Sequence, residues 1–503
     1  MKINKIGVGV KKYFKLEFIL VLSILVVAFI IRIFRVDQIL AFHYDQGRDA
    51  LVIWDLINAP HKLFLIGPTT GLAGVFRGPF YYYLIAPFYW LGNGNPIFPE
   101  VFLAALSTLA LLLMYFIGRE IGGKKSGLIA LILGAFSFEI IYASRWLSNP
   151  TPMLLLSMLL VWCLFKIQDG KKNFWILLSF VLGLSFFHFG SSGELFYFPA
   201  VLLFALVFKK FPDIKTFLIS IFVFFLTFAP LFIFNIKHDG ILQNNVGGLL
   251  ESGKSFGIPS WQFLLDRLEL IGVYFSATIF HNPFAKEMAI MFFGFVAFIL
   301  SIPELLKNQK AKVILILLGS VTIGLLFYQG NNGSLYQYYL TGYYLIFLLL
   351  AAMVLSKIFN SNWVGKIIFI YFLLFFLFQN WSLVKPYIST TGQETNTIVL
   401  ANQIKAIDWI YQNSQNRDFN VDVYVPPVIS HSYDYLFKWL GKTKYKRYSV
   451  EQQVPLLYTL YEADPDHPER LKAWLDRQAG IGSIIKEETF GGITVQERTR
   501  LFK

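Results

Sequence analysis

Polar and apolar residues are segregated into blocks along this chain, with mostly apolar runs at 16–36, 98–118, 126–143, 150–165, 173–188, 194–208, 216–235, 287–306, 313–328, 335–356 and 367–384. A helix needs roughly 20 such residues to cross a hydrocarbon core, so eleven membrane spans are predicted. The connections alternate in charge. Lys2, Lys5, Lys11, Lys12 and Lys15 precede the first run; Arg119/Lys124/Lys125, Lys166/Lys171/Lys172, Lys209/Lys210/Lys215, Lys307/Lys310/Lys312 and Lys357/Lys366 fill every second connection, and those between are sparse in Lys and Arg for their length. Basic loops stay in the cytoplasm. The N-terminus is therefore expected inside, and an odd number of spans puts the C-terminal region outside.

The stretch 79–92 (PFYYYLIAPFYWLG) is not counted as a span. It is short, contains Pro79 and Pro87, and is rich in Tyr and Trp; inserting it would reverse every later loop against the charge rule. It reads as an interfacial aromatic helix on the outer face. Nor is the first run a cleaved signal peptide, because it lacks a small-residue cleavage site and continues into Arg32 and Arg35.

Two outer loops, 37–97 and 236–286, are too long for simple connectors and are expected to be functional. The membrane part, 1–385, gives way at Pro386 to a different pattern: an amphipathic helix over 396–412, a strand over 420–428, a short helix over 433–440, and a hairpin of 481–490 and 493–500 about Gly491-Gly492. The fold class is thus an α-helical polytopic membrane protein with a small extracytoplasmic α/β domain at 386–503.

Composition agrees. Of 503 residues 56% are hydrophobic and only 15% charged, against roughly 25% charged in average soluble chains. The net charge of +13 lies entirely in the first 385 residues, which hold 30 Lys and Arg against 17 Asp and Glu, while the tail holds 14 of each. A basic excess confined to membrane loops speaks for topology and against nucleic acid as a partner. The single cysteine, Cys163, excludes an intrachain disulfide and a Cys-based zinc cluster, and the seven His form no spaced metal motif. No metal site is assigned; dependence on a divalent ion is left open.

Candidate chemistry collects at outer edges. His43-Tyr44-Asp45-Gln46-Gly47-Arg48-Asp49 follows the first span, and a helix would bring Asp45, Arg48 and Asp49 to one face. A carboxylate beside a guanidinium can accept a proton from a hydroxyl nucleophile; the alternative is a solvated ion pair at a helix start. Arg77 follows the turn Gly67-Pro68-Thr69-Thr70-Gly71. Arg145 and Asn149 frame the outer ends of the third and fourth spans, His188 and Glu194 flank the next short outer connection, and Lys237 and His238 leave the seventh span. Ionisable residues at such boundaries suggest function, although His188 and Glu194 could simply pair and Lys237 could snorkel. The tyrosines 336, 338, 339, 343 and 344 read as an aromatic belt.

The acidic residue just past the first span, the Gly-Pro turn before an aromatic interfacial helix, Gly118-Arg119 closing the next span and Tyr142-Ala143-Ser144-Arg145 closing the third resemble the GT-C glycosyltransferases. Over roughly the first 240 residues the likeness is to the protein O-mannosyltransferases and lipid A aminoarabinose transferases (glycosyltransferase families 39 and 83). The resemblance implies a cytoplasmic-membrane enzyme that takes a sugar from a polyprenyl-phosphate donor and transfers it, with inversion on the outer face, to a protein, lipid or glycan acceptor. It places the base at Asp45. Many members carry two adjacent acids there, where this chain has Asp45-Gln46.

The chemistry asks for the same residue types, since the leaving phosphate gains charge and needs cations. Arg48, Arg77, Arg145, Lys237 and Arg267 are outer-side candidates. Two rival readings are a transporter or flippase of lipid-linked sugars and an O-antigen polymerase or ligase. The first would show internal repeats and midplane polar sites, and the second a large outer loop late in the chain; neither is visible here.

Overall fold

The computed structural model describes residues 3–59, 63–70, 74–251, 259–281, 285–330, 333–390, 392, 397–426 and 429–501. Helix α1 (Ile3–Ile33) and the single turn α2 (Val36–Ile39) lead into α3 (Tyr44–Asn58) and α4 (Phe80–Leu91), which occupy the first long loop. Then follow α5 (Ile97–Phe136), α6 (Phe138–Ser144), α7 (Met153–Gln168), α8 (Phe174–Leu184), α9 (Tyr197–Phe208) and α10 (Ile214–Lys237). The second long loop holds α11 (Ile241–Glu251) and α12 (Trp261–Ala277), after which come α13 (Ala285–Leu305), α14 (Gln309–Phe327), α15 (Thr341–Ser361) and α16 (Trp363–Ser389).

Among the described residues seven helices are long and apolar enough to cross a membrane, and three shorter apolar ones, Met153–Gln168, Phe174–Phe189 and Gly193–Phe208, stand with them. One of the seven, α5, is two helices joined at a kink. Gly122 leaves the helical region, and Gly123 has φ 79° and ψ −174°, a conformation open in practice to glycine. Each apolar run read from the sequence therefore has its helix. The chain is an integral membrane protein.

Helix α15 is apolar on every side, and 67% of its most apolar window is buried, packed on α5, α7 and α16. Helices α10 and α13 are just as apolar yet only 17% and 11% of their windows are buried. An all-round apolar helix left uncovered by protein has lipid as its natural surroundings. Helix α4 is 12 residues long, about 18 Å, too short for a core of about 30 Å. It lies against α3 and α5, so 79–92 is a helix too short to count as a span.

The tail forms α17 (Leu400–Asn413), β1 (Asn420–Tyr424), α18 (His431–Leu440), β2 (Leu456–Glu462), α19 (Pro468–Ala479), β3 (Gly482–Phe490) and β4 (Ile493–Arg500). The sheet order is β1-β2-β4-β3, with β1 and β2 parallel and the other pairs antiparallel. The hairpin falls where expected, turning at Gly491 with φ 62°. The first expected strand is shorter, ending at Tyr424 just before Pro426, which has no N–H to donate; positions 427 and 428 lie outside the described residues. The amphipathic helix begins at Leu400, and 396, its expected start, is likewise outside them. Two elements went unread. Strand β2 is buried on both faces, so its apolar residues do not alternate, and α19 is a polar helix signalled only by Pro468 at its start and Arg477 in its last turn.

The tail packs onto the first loop. Leu400 N–H donates to Leu40 O at 2.9 Å, Gln403 Nε2 to Phe42 O at 2.9 Å and Trp439 Nε1 to Asn93 O at 2.9 Å. A side chain at Gly47 would strike the backbone of His431 and Ser432, so this glycine lets α3 and α18 touch.

Candidate active site

Helix α3 starts with a reciprocal cap: Gln46 Oε1 accepts from His43 N–H at 3.1 Å, and the His43 side chain takes the Gln46 backbone N–H. Gln46 Nε2 also reaches Leu147 O at 3.3 Å. The position next to Asp45 is thus buried and structural. Asp45 in the first turn keeps 59% of its side chain exposed and meets Arg48 Nη1 at 2.8 Å.

Asp49, one turn on, is its opposite. It is buried and accepts from Arg48 Nη2 at 2.8 Å, Arg48 Nε at 3.0 Å and the Tyr82 hydroxyl at 3.1 Å. Burial pushes its carboxyl up to about 6, with Arg48 opposing. Arg48 also donates to Thr69 Oγ1 at 3.1 Å. One guanidinium therefore joins both carboxylates to the Gly-Pro turn.

That turn is a small hairpin. Gly67 N–H donates to Arg77 O at 2.6 Å, Arg77 N–H to Pro68 O at 3.0 Å, and Thr69 bridges Phe76. Its far end docks on a π-helical turn, Ser185–Phe189, that extends α8. Gly78 N–H donates to Phe187 O at 2.7 Å, Arg77 Nη1 to Phe186 O at 3.2 Å and Phe80 N–H to His188 Nδ1 at 3.3 Å. Because Nδ1 accepts, Nε2 carries the proton and donates to Thr227 O at 2.8 Å. His188 is 0% exposed and a side chain at Gly78 would collide with its ring. Its ring ties the backbone just after Arg77 to Thr227 on α10.

Arg77 is half-buried, and burial pushes its guanidinium down from the usual range, against Glu194 and Tyr338, Tyr328 and Tyr339 nearby. A cation so placed gains from an anion. Glu194 is buried between backbone donors, Ser191 N–H at 2.6 Å and Gly342 N–H at 3.1 Å; it does not pair with His188. The tyrosine run departs from the belt expected of it. Tyr343 and Tyr344 are 0% and 1% exposed inside the protein, and Tyr338 lies within electrostatic reach of both Arg77 and Asp45, its ring 5.9 Å from Trp146. Within the tyrosine run the sequence carries no mark of which ring turns inward, so Tyr338 could not be told from its neighbours. Arg267 donates from Nη2 to Gly333 O at 2.6 Å, leaves Nη1 buried without a partner and, like Arg77, lies within electrostatic reach of Tyr328.

Arg48 thus ties Asp45 and Asp49 to the hairpin whose other strand carries Arg77, with Tyr338 in the electrostatic surroundings of Arg77 and Asp45. Other candidates go elsewhere. Arg145 is 5% exposed and turned away from solvent, its Nη1 and Nη2 donating to the α1-end carbonyls of Ile31, Arg32 and Phe34 at 2.9–3.1 Å. Asn149 Nδ2 holds Phe189 O at 3.3 Å, steadying the same π turn. Lys237 and His238 are exposed at the end of α10; His238 stacks on Phe234, whose ring is 6.0 Å from Phe76 beside Arg77. Among the described residues no group of three or more His, Cys, Asp or Glu side chains is arranged to hold a metal.

Residues 76–234 match the family model described as dolichyl-phosphate-mannose-protein mannosyltransferase. A search of curated proteins finds no match. Among solved structures the chain is similar to ArnT from Cupriavidus metallidurans bound to undecaprenyl phosphate, at TM-score 0.60 and 9% identity over 95% of this chain and 97% of that one. The apo form of the same ArnT gives TM-score 0.60 at 10% identity over 97% and 98%. The Archaeoglobus fulgidus oligosaccharyltransferase AglB, in complex with an inhibitory peptide and a dolichol-phosphate, gives TM-score 0.51 at 13% identity over 96% of this chain and 74% of its own. The fold is the GT-C fold of membrane glycosyltransferases.

Proposed function

We propose that this chain is a membrane glycosyltransferase that moves a sugar from a polyprenyl-phosphate donor to an acceptor hydroxyl on the extracytoplasmic face, with inversion. The observation that carries the reading is the exposed carboxylate of Asp45, fixed by Arg48 at 2.8 Å, with Tyr338 within electrostatic reach of both Asp45 and Arg77, in a GT-C frame. Asp45 takes the acceptor proton as the acceptor oxygen bonds to the anomeric carbon. The bond from that carbon to the phosphate oxygen breaks, and the electron pair leaves on polyprenyl phosphate. Arg77 and Arg267 receive that charge, with Lys237 at the rim, while Arg145 holds the α1 end. The likeness to an ArnT bound to undecaprenyl phosphate supports a lipid phosphate as leaving group.

The tail at 386–503 is proposed as an extracytoplasmic domain that walls the acceptor side, since His431 at the start of α18 lies 4.9 Å from the Tyr44 ring next to Asp45. The test is to reconstitute the purified chain in liposomes, add polyprenyl-phosphate sugars and measure release of polyprenyl phosphate. Release that requires an outer-face acceptor is expected. No binding of any polyprenyl phosphate would overturn the reading.

A further inference from the structure

At the end of the bundle away from Asp45, α5 breaks at Gly122, and the α13–α14 turn and the last turns of α15 close around the break to leave a cavity of about 240 Å³. Its wall mixes two chemistries. Leu305 and Met353 are apolar, while Glu304, Asn308, Lys357 and Asn360 are polar. Lys357 Nζ lies 2.9 Å from Glu304 Oε2, and Lys125 Nζ donates to Asn360 Oδ1 at 2.8 Å. One carboxylate and one ammonium group therefore pair at the cavity, and a second ammonium, that of Lys125, is bonded to the wall residue Asn360.

The Glu304–Lys357 pair is open to exchange, since the two side chains are 65% and 40% exposed and an exposed ion pair is worth no more than about 1 kcal/mol. A ligand that brings an anion to Lys357 and a cation to Glu304 replaces the pair without leaving either charge alone. A purely anionic ligand would face Glu304, and a purely cationic one would face Lys357 and Lys125. Next to the wall residues Ser301 and Leu305, Leu300 and Leu306 are 72% and 49% exposed, apolar side chains that acyl chains can cover.

We propose that this cavity binds the phosphoethanolamine headgroup of a membrane phospholipid, its phosphate on Lys357 and Lys125, its ammonium on Glu304 and its acyl chains over Leu300 and Leu306. The lipid is a ligand distinct from the donor, on the opposite membrane face from Asp45. Asn308 completes the floor by capping α14 and donating to Ile121 O at 3.0 Å at the break in α5, so the cavity is built by fixed backbone.

The test is native mass spectrometry of the purified full chain titrated with palmitoyl-oleoyl phosphatidylethanolamine, phosphatidylglycerol or phosphatidylcholine. One phosphatidylethanolamine is expected to be retained at about tenfold lower concentration than either other lipid, because neither the glycerol nor the trimethylated headgroup can donate a charge-assisted hydrogen bond to Glu304. Glu304→Gln and Lys357→Gln should each erase that preference while leaving the lipid-free melting temperature unchanged. Equal retention of the three lipids by the unsubstituted chain, or a preference that survives both substitutions, would overturn the proposal. So would displacement of the lipid by an equal concentration of soluble glycerophosphoethanolamine, which would make the ligand a free solute.

Discussion

Replacing Asp45 by Asn separates catalysis from stability, because the site gives this carboxylate little structural work. Its side chain is 59% exposed and its partner is Arg48 at 2.8 Å, a surface ion pair worth about 0.2–1 kcal/mol. Arg48 stays anchored without it, through Asp49 at 2.8 and 3.0 Å and Thr69 at 3.1 Å. As general base the same carboxylate is worth on the order of a hundredfold to ten-thousandfold in rate, or about 2.7–5.5 kcal/mol of barrier. The expected Asp45→Asn protein therefore melts within a few degrees of the unsubstituted chain and binds polyprenyl phosphate with unchanged affinity, yet transfers sugar at least a hundredfold more slowly. The assay follows release of radiolabelled polyprenyl phosphate in liposomes, normalised to folded protein by size-exclusion chromatography. Turnover within threefold of the parent, or a loss of rate that merely follows a loss of folded protein, would refute the assignment.

Arg77→Gln removes a cation from the donor side, and with hydrogen bonds to charged groups worth about 1.5–3 kcal/mol the KM for the lipid donor should rise about ten- to a hundredfold; an unchanged donor KM removes Arg77 from the phosphate site. His188→Ala orphans Phe80 N–H and Thr227 O, at about 1–3 kcal/mol each, so melting temperature and activity should fall together, and His188→Ala melting like the parent would deny it this tying role. Asp49 gives a pH signature. Its folded carboxyl is raised by burial from 3.8 to about 6, so its contribution to stability is complete below about pH 4 and is lost as the pH rises through about 6. The melting temperature of Asp49→Asn minus that of the parent should therefore grow between pH 4 and 6, and a constant difference would contradict the raised carboxyl.

The pattern of apolar runs and basic loops was enough to find the membrane helices, because crossing a bilayer imposes a length and a composition on each segment independently of its neighbours. The Gly122-Gly123 break inside α5 was legible for the same reason, as a basic connection between two runs. Asp45 could be singled out by its place just past the first span. The terminal hairpin also declared itself, through two Gly between strands, whereas β2, buried on both faces, had no alternation to read.

What the other charged residues do could not be read locally. Arg77 and Arg145 are both arginines at an outer helix boundary, yet one lies near tyrosines of the segment between α14 and α15 while the other is held by carbonyls at the end of α1. His188 could be read as a binding residue or as a partner of Glu194, and its two nitrogens instead hold backbone groups 108 and 39 residues away. Contacts over such separations depend on how the helices pack, and packing is decided by the shapes of all the partners together. The sequence by itself therefore settled which segments are long and apolar enough to enter a membrane, and it singled out Asp45 just past the first of them. Only the tertiary structure decided which cations face that carboxylate, because a guanidinium binds whichever acceptor, phosphate or carbonyl, the fold brings within about 3 Å.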